Sequence, residues 1–241
     1  MAEPILRQKD GDVTTITLNK PEIGNRLSDA QAVQLADMID AAAKESRLIL
    51  FKGAGGDFCL GREATGQPRP VLEAYAVRER SDIIFNLYDA FRRAKPPIVG
   101  VVQGGAVGLG CALAALCDIT IASDQARFQL PEMAHNIMPT IAMSALVDRV
   151  SRKAATYMVY STEEIDAHKA LFFGLVSNVV PAAELDRAVA ALVERMKQTP
   201  IPALLAAKEY ARSAFHLSTQ AATDFARNLH ATVNSSSAMR P

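Results

Sequence analysis

Short apolar segments alternate with amphipathic segments through the first half of this sequence. Val13–Leu18 (VTTITL) and Ile98–Val102 (IVGVV) have the length and β-branched content of strands, and Arg47–Lys52 (RLILFK) is typical of a buried strand. Between them, Asp29–Ala43 and Val71–Arg93 have the spacing of apolar residues that predicts helices. Strands that alternate with helices over short loops predict an α/β fold of stacked ββα turns, rather than separate blocks of strands and helices.

The pattern changes in the second half of the chain. From about Ser144 onward almost every segment has helical spacing, and Leu175–Val180 is the exception, which is typical of a strand. We therefore expect a core over residues 1–190 and a C-terminal helical region over residues 191–241. The sequence also predicts a helix N-cap at Ser28, loops at Gly53–Gly61, Gly66–Pro70 and Gly104–Gly110, a helix at Cys111–Leu116 and a strand at Asp118–Ala122.

Composition narrows the classes of function. The 26 Lys and Arg residues balance the 26 Asp and Glu residues, so no basic excess points to nucleic acid or to a membrane surface. No apolar stretch reaches the roughly 20 residues of a spanning helix, and the polar start MAEPILRQKDGD lacks a secretory signal, so we expect a cytoplasmic protein with no membrane partner. Cys59, Cys111 and Cys117 lack metal-ligand spacing, which predicts reduced core thiols and no metal site; a catalytic cysteine is the alternative.

Five stretches resemble, in order, the crotonase or enoyl-CoA hydratase/isomerase family. Ile16–Leu27 (ITLNKPEIGNRL) is similar to the family's first strand and to the turn that receives coenzyme A, and Asp57–Glu63 (DFCLGRE) resembles its F-x-x-G-x-D loop. Lys95–Asp118 resembles the signature KPVIAAVNG-x-A-x-GGG-x-ELA-x-x-CD. Phe128–Pro139 contains the F-x-x-PE segment, and Leu175–Pro181 resembles GLV-x-x-VVP. Each piece alone is weak, because Gly-x-Gly turns are common, but their order and spacing are specific.

The resemblance implies a fold and a partner. The fold is a crotonase-like spiral of ββα units with a C-terminal helical trimerisation region, and the assembly is a homotrimer or a hexamer. The partner is an acyl-CoA thioester, so coenzyme A is part of the substrate and no separate cofactor is expected. Family members usually continue past a helix like Thr219–Val233 into a basic helix that covers coenzyme A, whereas Asn234–Pro241 is short and polar. Contacts to the ribose phosphate are therefore expected to be absent or to come from a neighbouring subunit.

The resemblance also implies an oxyanion hole made of backbone N–H groups. One donor in the family is the residue after the loop glycine, which is Arg62 after Gly61, and the other lies in the glycine-rich turn, which is Leu109 after Gly108. Two such donors would stabilise the negative charge of a thioester enolate. Because both donors are backbone groups, Leu109 can stand where the family usually has Gly. The plainer interpretation is that these glycines only let the chain turn tightly.

The acid/base residues depart from the family pattern. Hydratases of the family use two glutamates around one water; here the second is kept as Glu132, and the first position is Ala112. A double-bond shift needs a single group that removes a proton from C2 and returns it at C4, so Glu132 alone favours isomerisation over hydration. An apolar pocket would raise the pKa of Glu132. The alternative is an exposed first-turn acid at a helix start. Thr140 and Ile141 are bulkier than the small residues they replace.

Further residues are expected around the acyl-CoA. His135 lies three residues beyond Glu132 and is either a second polar group of the site or an exposed histidine. Arg26 is either a phosphate contact or a surface arginine, and Glu63 is either a substrate contact or part of a solvated loop. The set that the resemblance places around the substrate is Arg26, Leu27, Cys59, Gly61, Glu63, Ala64, Gly108, Ala112 and Thr140.

The sequence therefore predicts an acyl-CoA enzyme of the Δ3,Δ2-enoyl-CoA isomerase type with Glu132 as its acid/base. Three alternatives stay open. The first is an enoyl-CoA hydratase, and the second is an acyl-CoA decarboxylase or lyase in which the oxyanion hole does most of the work. The third is a non-catalytic acyl-CoA-binding homologue that lost its chemistry with the first glutamate.

Overall fold

The computed structural model describes residues 3–64 and 71–240; the loop predicted at Gly66–Pro70 lies outside the described residues. The strands are β1 Ile5–Asp10, β2 Val13–Leu18, β3 Leu48–Gly53, β4 Ile98–Val102, β5 Gly105–Val107, β6 Ile119–Ser123, β7 Arg127–Gln129, β8 Ile165–Asp166 and β9 Asn178–Val180. The α-helices are α1 Asp29–Glu45, α2 Ala74–Arg93, α3 Leu109–Leu116, α4 Thr140–Leu146, α5 Arg152–Ser161, α6 Ala167–Phe173, α7 Leu185–Gln198, α8 Ile201–Ala214 and α9 Thr219–Asn234.

The main sheet has the strand order β1-β2-β3-β4-β6-β9. Its strands from β2 onward pair in parallel, with Ile16 opposite Phe51 and Phe51 opposite Gly100. Parallel neighbours require crossover connections, and α1, α2 and α3 supply the first three. The predicted alternation of strands and helices is confirmed, and so are the bounds of β2 and β4.

A smaller sheet of β5, β7 and β8 completes the ββα turns. Two isolated parallel bridges extend it into the loop after β3, one joining Cys59 to Ala106 and the other joining Leu27 to Arg62. The first bridge fixes the predicted glycine-rich loop Gly53–Gly61 against β5, which leads into α3, and the second joins the residue after that loop to the segment before α1.

Local signals set the helix ends near the site. Ser28 caps α1, accepting a hydrogen bond from the backbone N–H of Gln31, whose side chain in turn accepts from the N–H of Ser28. This capping box confirms the predicted N-cap. α2 begins at Ala74, three residues later than predicted, whereas α3 begins at Leu109, two residues earlier than predicted.

The C-terminal half is mainly helical, as predicted. The predicted strand at 175–180 shortens to β9, since pairing with β6 begins only at Asn178; Leu175 and Val176 before it are buried in the core. The boundary predicted after residue 190 falls inside α7, which packs its apolar face on the main sheet through Val189 and Val193. α9 buries none of its residues within this chain. Among the described residues, no helix combines the length and apolar character that crossing a membrane requires.

Candidate active site

A cavity of about 600 Å³ lies between α2, the loop after β3, the start of α3 and the segment that follows β7. Gly61, Arg62, Gly108, Leu109 and Glu132 all line it. The structure therefore brings together the loop glycine, the glycine-rich turn and the Pro-Glu segment, which are far apart in sequence.

A larger groove of about 740 Å³ runs between β1 and α1. Within it, Glu45 pairs with both Arg7 and Lys9. Gly61, Gly108 and Glu132 are not among the described residues that line it. We therefore assign the chemistry to the smaller cavity.

The backbone around Arg62 directs its N–H group away from the neighbouring strand. In the parallel bridge with Leu27, the N–H of Leu27 donates to the carbonyl of Gly61 at 3.0 Å, and the N–H of Glu63 donates to the carbonyl of Leu27 at 2.9 Å. A residue bridged in this way has its own N–H on the opposite side of the chain. No backbone hydrogen bond from Arg62 is found among the described residues, so its N–H is available to a ligand in the cavity.

Leu109 supplies a second free donor. It is the first residue of α3, and the N–H groups of a first helical turn have no partner within the helix. Gly108 before it has φ +54°, a conformation that favours glycine, and this sharp turn opens the helix at the cavity. Cys59 and Ala106 are bridge partners. Arg62 lies three residues after Cys59, and Leu109 lies three residues after Ala106. The paired strands thus deliver both donors to one cavity.

Glu132 lies directly beside this turn. It opens a short 3₁₀ helix, Glu132–His135, and its Oε1 is 3.3 Å from the position that a Cβ on Gly108 would take. Its Oε2 is buried and has no hydrogen-bond partner among the described residues. Burial raises the pKa of the Glu132 carboxyl, while its own backbone N–H and the charge of His135 oppose the rise. Glu132 is therefore half-buried, with a carboxyl pKa above its ordinary value, rather than an exposed first-turn acid.

Several residues predicted to contact the substrate do not line the cavity. Ala112 is fully buried in α3, where its N–H donates to the carbonyl of Gly108. Thr140 is exposed at the start of α4, and its neighbour Ile141 lines the cavity instead. Cys59 is fully buried, and burial raises the pKa of its thiol to about 11, so it is a neutral core thiol at physiological pH. The other two cysteines are also free and buried.

The basic residues near the mouth are engaged with the protein. One guanidinium nitrogen of Arg26 donates to the carbonyl of Leu60 at 2.5 Å, which braces the loop. The guanidinium of Arg62 pairs with Asp29 at the start of α1. Glu63 pairs with Lys20. Leu27 is buried and acts through its backbone, and Ala64 is exposed at the end of the described loop.

Sequence reasoning missed part of the cavity wall. Ile84 and Tyr88 of α2 line it, and both are almost fully buried. Their helical spacing predicts that this face of α2 is buried. The sequence of one helix does not show whether its buried face packs against the core or lines a cavity. His135, whose role was open, is exposed and lines the cavity. Within residues 3–64 and 71–240, no three His, Cys, Asp or Glu side chains gather in a way that would hold a metal ion.

The two donors and the base suit one kind of chemistry. A carbonyl oxygen that accepts from the N–H groups of Arg62 and Leu109 becomes negatively charged when the adjacent carbon loses a proton. Glu132, at the edge of the same turn, is placed to take that proton. The arrangement therefore fits the formation of an enolate.

Comparison with known proteins shows the family to which the chain belongs. A 2,3-dehydroadipyl-CoA hydratase of Escherichia coli (strain K12) is 33% identical over 213 residues, which cover 87% of this chain and 82% of that protein. The crystal structure of an enoyl-CoA hydratase from Mycobacterium smegmatis matches with a TM-score of 0.90 and 26% identity, covering 97% of this chain and 91% of that one. A Thermobifida fusca YX protein solved in complex with CoA matches with a TM-score of 0.84 and 28% identity, covering 95% and 92%. The sequence model of the family described as "Enoyl-CoA hydratase/isomerase" matches residues 8–240, so the chain belongs to that family and has its crotonase fold.

Proposed function

We propose that this protein binds an acyl-CoA thioester and shifts its double bond by a Δ3,Δ2-enoyl-CoA isomerase-type reaction, with Glu132 as the single acid/base. The observation on which this proposal rests is that, among the described residues that line the cavity, Glu132 alone has a carboxylic side chain. The position at which the family's hydratases have a second glutamate holds Ala112, a methyl group buried outside the cavity lining.

The reaction balances with one carboxylate. Glu132 takes a proton from C2 of a 3-enoyl thioester, and the electron pair of that C–H bond forms a dienolate. The N–H groups of Arg62 and Leu109 stabilise the charge on the thioester oxygen. The protonated Glu132 then returns the proton to C4, which leaves the double bond between C2 and C3 and restores the carboxylate. The raised pKa of Glu132 makes it a stronger base for the first step.

The apolar wall of the cavity supports this assignment. Ile84, Ile137, Met138 and Ile141 surround the space beside Glu132. Such a wall accepts an acyl chain and gives a nucleophilic water few hydrogen-bond partners. The Thermobifida fusca relative that was solved with CoA supports a coenzyme A thioester as the substrate.

Hydration is the second candidate. It is favoured by the Escherichia coli relative, whose name is that of a hydratase. In this chain the addition of water to C3 would require Glu132 both to activate the water and to protonate C2, because the described residues that line the cavity include no second carboxylate to hold the water.

Turnover on a panel of thioesters separates these functions. The panel contains 3-enoyl-CoA, 2-enoyl-CoA and malonyl-type CoA substrates, with Glu132→Gln as the test variant and Glu194→Gln, an exposed change on α7, as its control. We expect isomerisation to dominate and Glu132→Gln to lower kcat by about a hundredfold to ten-thousandfold, because that is the usual contribution of an acid/base group. Binding of the acyl-CoA should be nearly unchanged, since Gln keeps the shape of Glu.

Each other result supports a different function. Faster hydration than isomerisation would favour the hydratase, and turnover of malonyl-type substrates that survives in Glu132→Gln would favour a decarboxylase. Binding of every thioester without turnover would indicate a non-catalytic homologue. Ala112→Glu adds a further comparison, because a restored second carboxylate should raise hydration only if its side chain reaches the cavity.

A further inference from the structure

Tyr88 is a buried polar residue for which the proposed reaction has no role. It lies on α2, it is 1% exposed, and it lines the cavity beside the site. Its hydroxyl makes no hydrogen bond to any residue of the described chain. A buried tyrosine hydroxyl nearly always has a partner, so an unpaired one at a cavity points to a ligand, a water or a mobile side chain.

Glu132 likewise has a carboxylate oxygen that no hydrogen-bond donor of the described chain reaches. The Oε2 of Glu132 is buried without a hydrogen bond among the described residues, and Glu132 lines the same cavity as Tyr88. A buried carboxylate oxygen without a donor is costly, and a phenol donates well to such an oxygen. One cavity therefore contains a donor that lacks an acceptor and an acceptor that lacks a donor.

The surrounding charges keep the Tyr88 hydroxyl protonated. Burial raises its pKa most, and the charge of Glu132 raises it further. Arg92 on α2 and Arg62 on the loop lower it by smaller amounts. The hydroxyl is therefore a neutral donor at every pH at which the protein would work.

The cations near the pair do not take its place. The guanidinium of Arg92 donates to Asp89 and to the backbone carbonyl of Ser144. His135 lowers the pKa of Glu132 by its charge, but it is exposed at the cavity. Tyr88 thus remains as a neutral donor in the same cavity as the carboxylate.

We propose that Tyr88 is a positioning residue for Glu132, donating a hydrogen bond from its hydroxyl to the carboxylate, directly or through one water. This inference rests on the proposed function, in which Glu132 moves the proton. The hydrogen bond holds the carboxylate against the turn at Gly108 and stabilises its charged form. The phenol of α2 thereby supplies the second polar group that Ala112 does not.

The test compares Tyr88→Phe with Tyr75→Phe, which removes an exposed hydroxyl from the same helix. Tyr88→Phe keeps the buried ring, so folding should be little affected. We expect kcat to fall about tenfold to a hundredfold with KM little changed, because a hydrogen bond to a charged group is lost. The acid limb of the kcat/KM profile should move to higher pH, because the charged form of Glu132 loses a donor and its pKa rises. Tyr75→Phe should change neither quantity.

Two further measurements decide between roles. Tyr88→Phe added to Glu132→Gln should cause no further loss of activity, because Tyr88 acts through the carboxylate. An NMR titration of the ¹³C-labelled Glu132 carboxyl, without substrate, should show its pKa about one unit higher in Tyr88→Phe than in the wild type. An unchanged pKa, or an equal loss of activity in both backgrounds, would overturn the proposal. If instead Glu132→Gln keeps full turnover, the proposed function fails, while the titration still judges the Tyr88 hydrogen bond.

Discussion

Replacing Leu109 by proline would remove one donor of the oxyanion hole while leaving the helix that carries it. Proline is well tolerated at the first position of a helix, where its missing N–H has no intrahelical partner, and Leu109 is that residue of α3. Gly108 before it has no Cβ to clash with the ring. The N–H of Arg62 would remain as the single donor. Loss of one such donor costs about a hundredfold to a thousandfold in kcat, or about 3–4 kcal/mol in the barrier.

The control for this variant is Leu109→Ala, which keeps the N–H and removes a larger part of the buried side chain. The ratio of the kcat values of the two variants isolates the donor from packing. Single-turnover kinetics on a 3-enoyl-CoA would measure it, with circular dichroism and thermal unfolding to verify the fold. If both variants turn over at the same rate, the N–H of Leu109 does not stabilise the transition state and the assignment of the oxyanion hole is wrong.

Three other predictions concern stability and assembly. Lys208→Ala should lower the free energy of unfolding by about 3 kcal/mol in a denaturant titration, because the Asp118 carboxylate loses the buried ammonium 2.6 Å away and keeps the N–H of Ile98 as a donor. Glu132→Gln should raise the melting temperature at pH 7. Burial raises the pKa of Glu132 in the folded protein, so the stability of the wild type falls as the pH rises from the pKa of this carboxyl in the unfolded chain through its pKa in the folded protein. The gain in the variant should vanish near pH 3, where Glu132 is protonated in both states. Light scattering should show a homotrimer or hexamer, since Phe172 and Phe215 are exposed on the helical half, and a stable monomer would contradict this.

The strands that the sequence predicted well are the buried ones. β2 and β4 are rich in apolar and β-branched residues, and all five residues of β4 are buried, so composition alone marks them. β1 was missed because it is an edge strand in which only Ile5 is buried, which leaves no apolar pattern. β5, β7 and β8 have two or three residues each, too few for any period to appear.

The site was predictable where it depends on order along the chain. Arg62 and Leu109 were found because each follows a glycine in a motif, and the structure places both at the cavity. Tyr88 was missed because its role depends on which side of α2 meets a void, and that is set by the packing of three other segments. Ala112 was expected at the substrate because its position in the motif was clear. The structure places it outside the cavity lining, because a methyl group is too short to reach from α3 into the cavity.

The origin of each group explains which parts of this site tolerate change. The donors of Arg62 and Leu109 are backbone groups, fixed by the bridges Leu27 to Arg62 and Cys59 to Ala106 and by the start of α3. Any side chain that leaves these contacts intact would keep the proposed oxyanion hole, so an arginine and a leucine can supply its donors. What happens to an enolate held there depends instead on side chains around C2 to C4, where a single substitution adds or removes a proton carrier. In this chain that choice rests on Glu132, with Tyr88 as the group we expect to hold it.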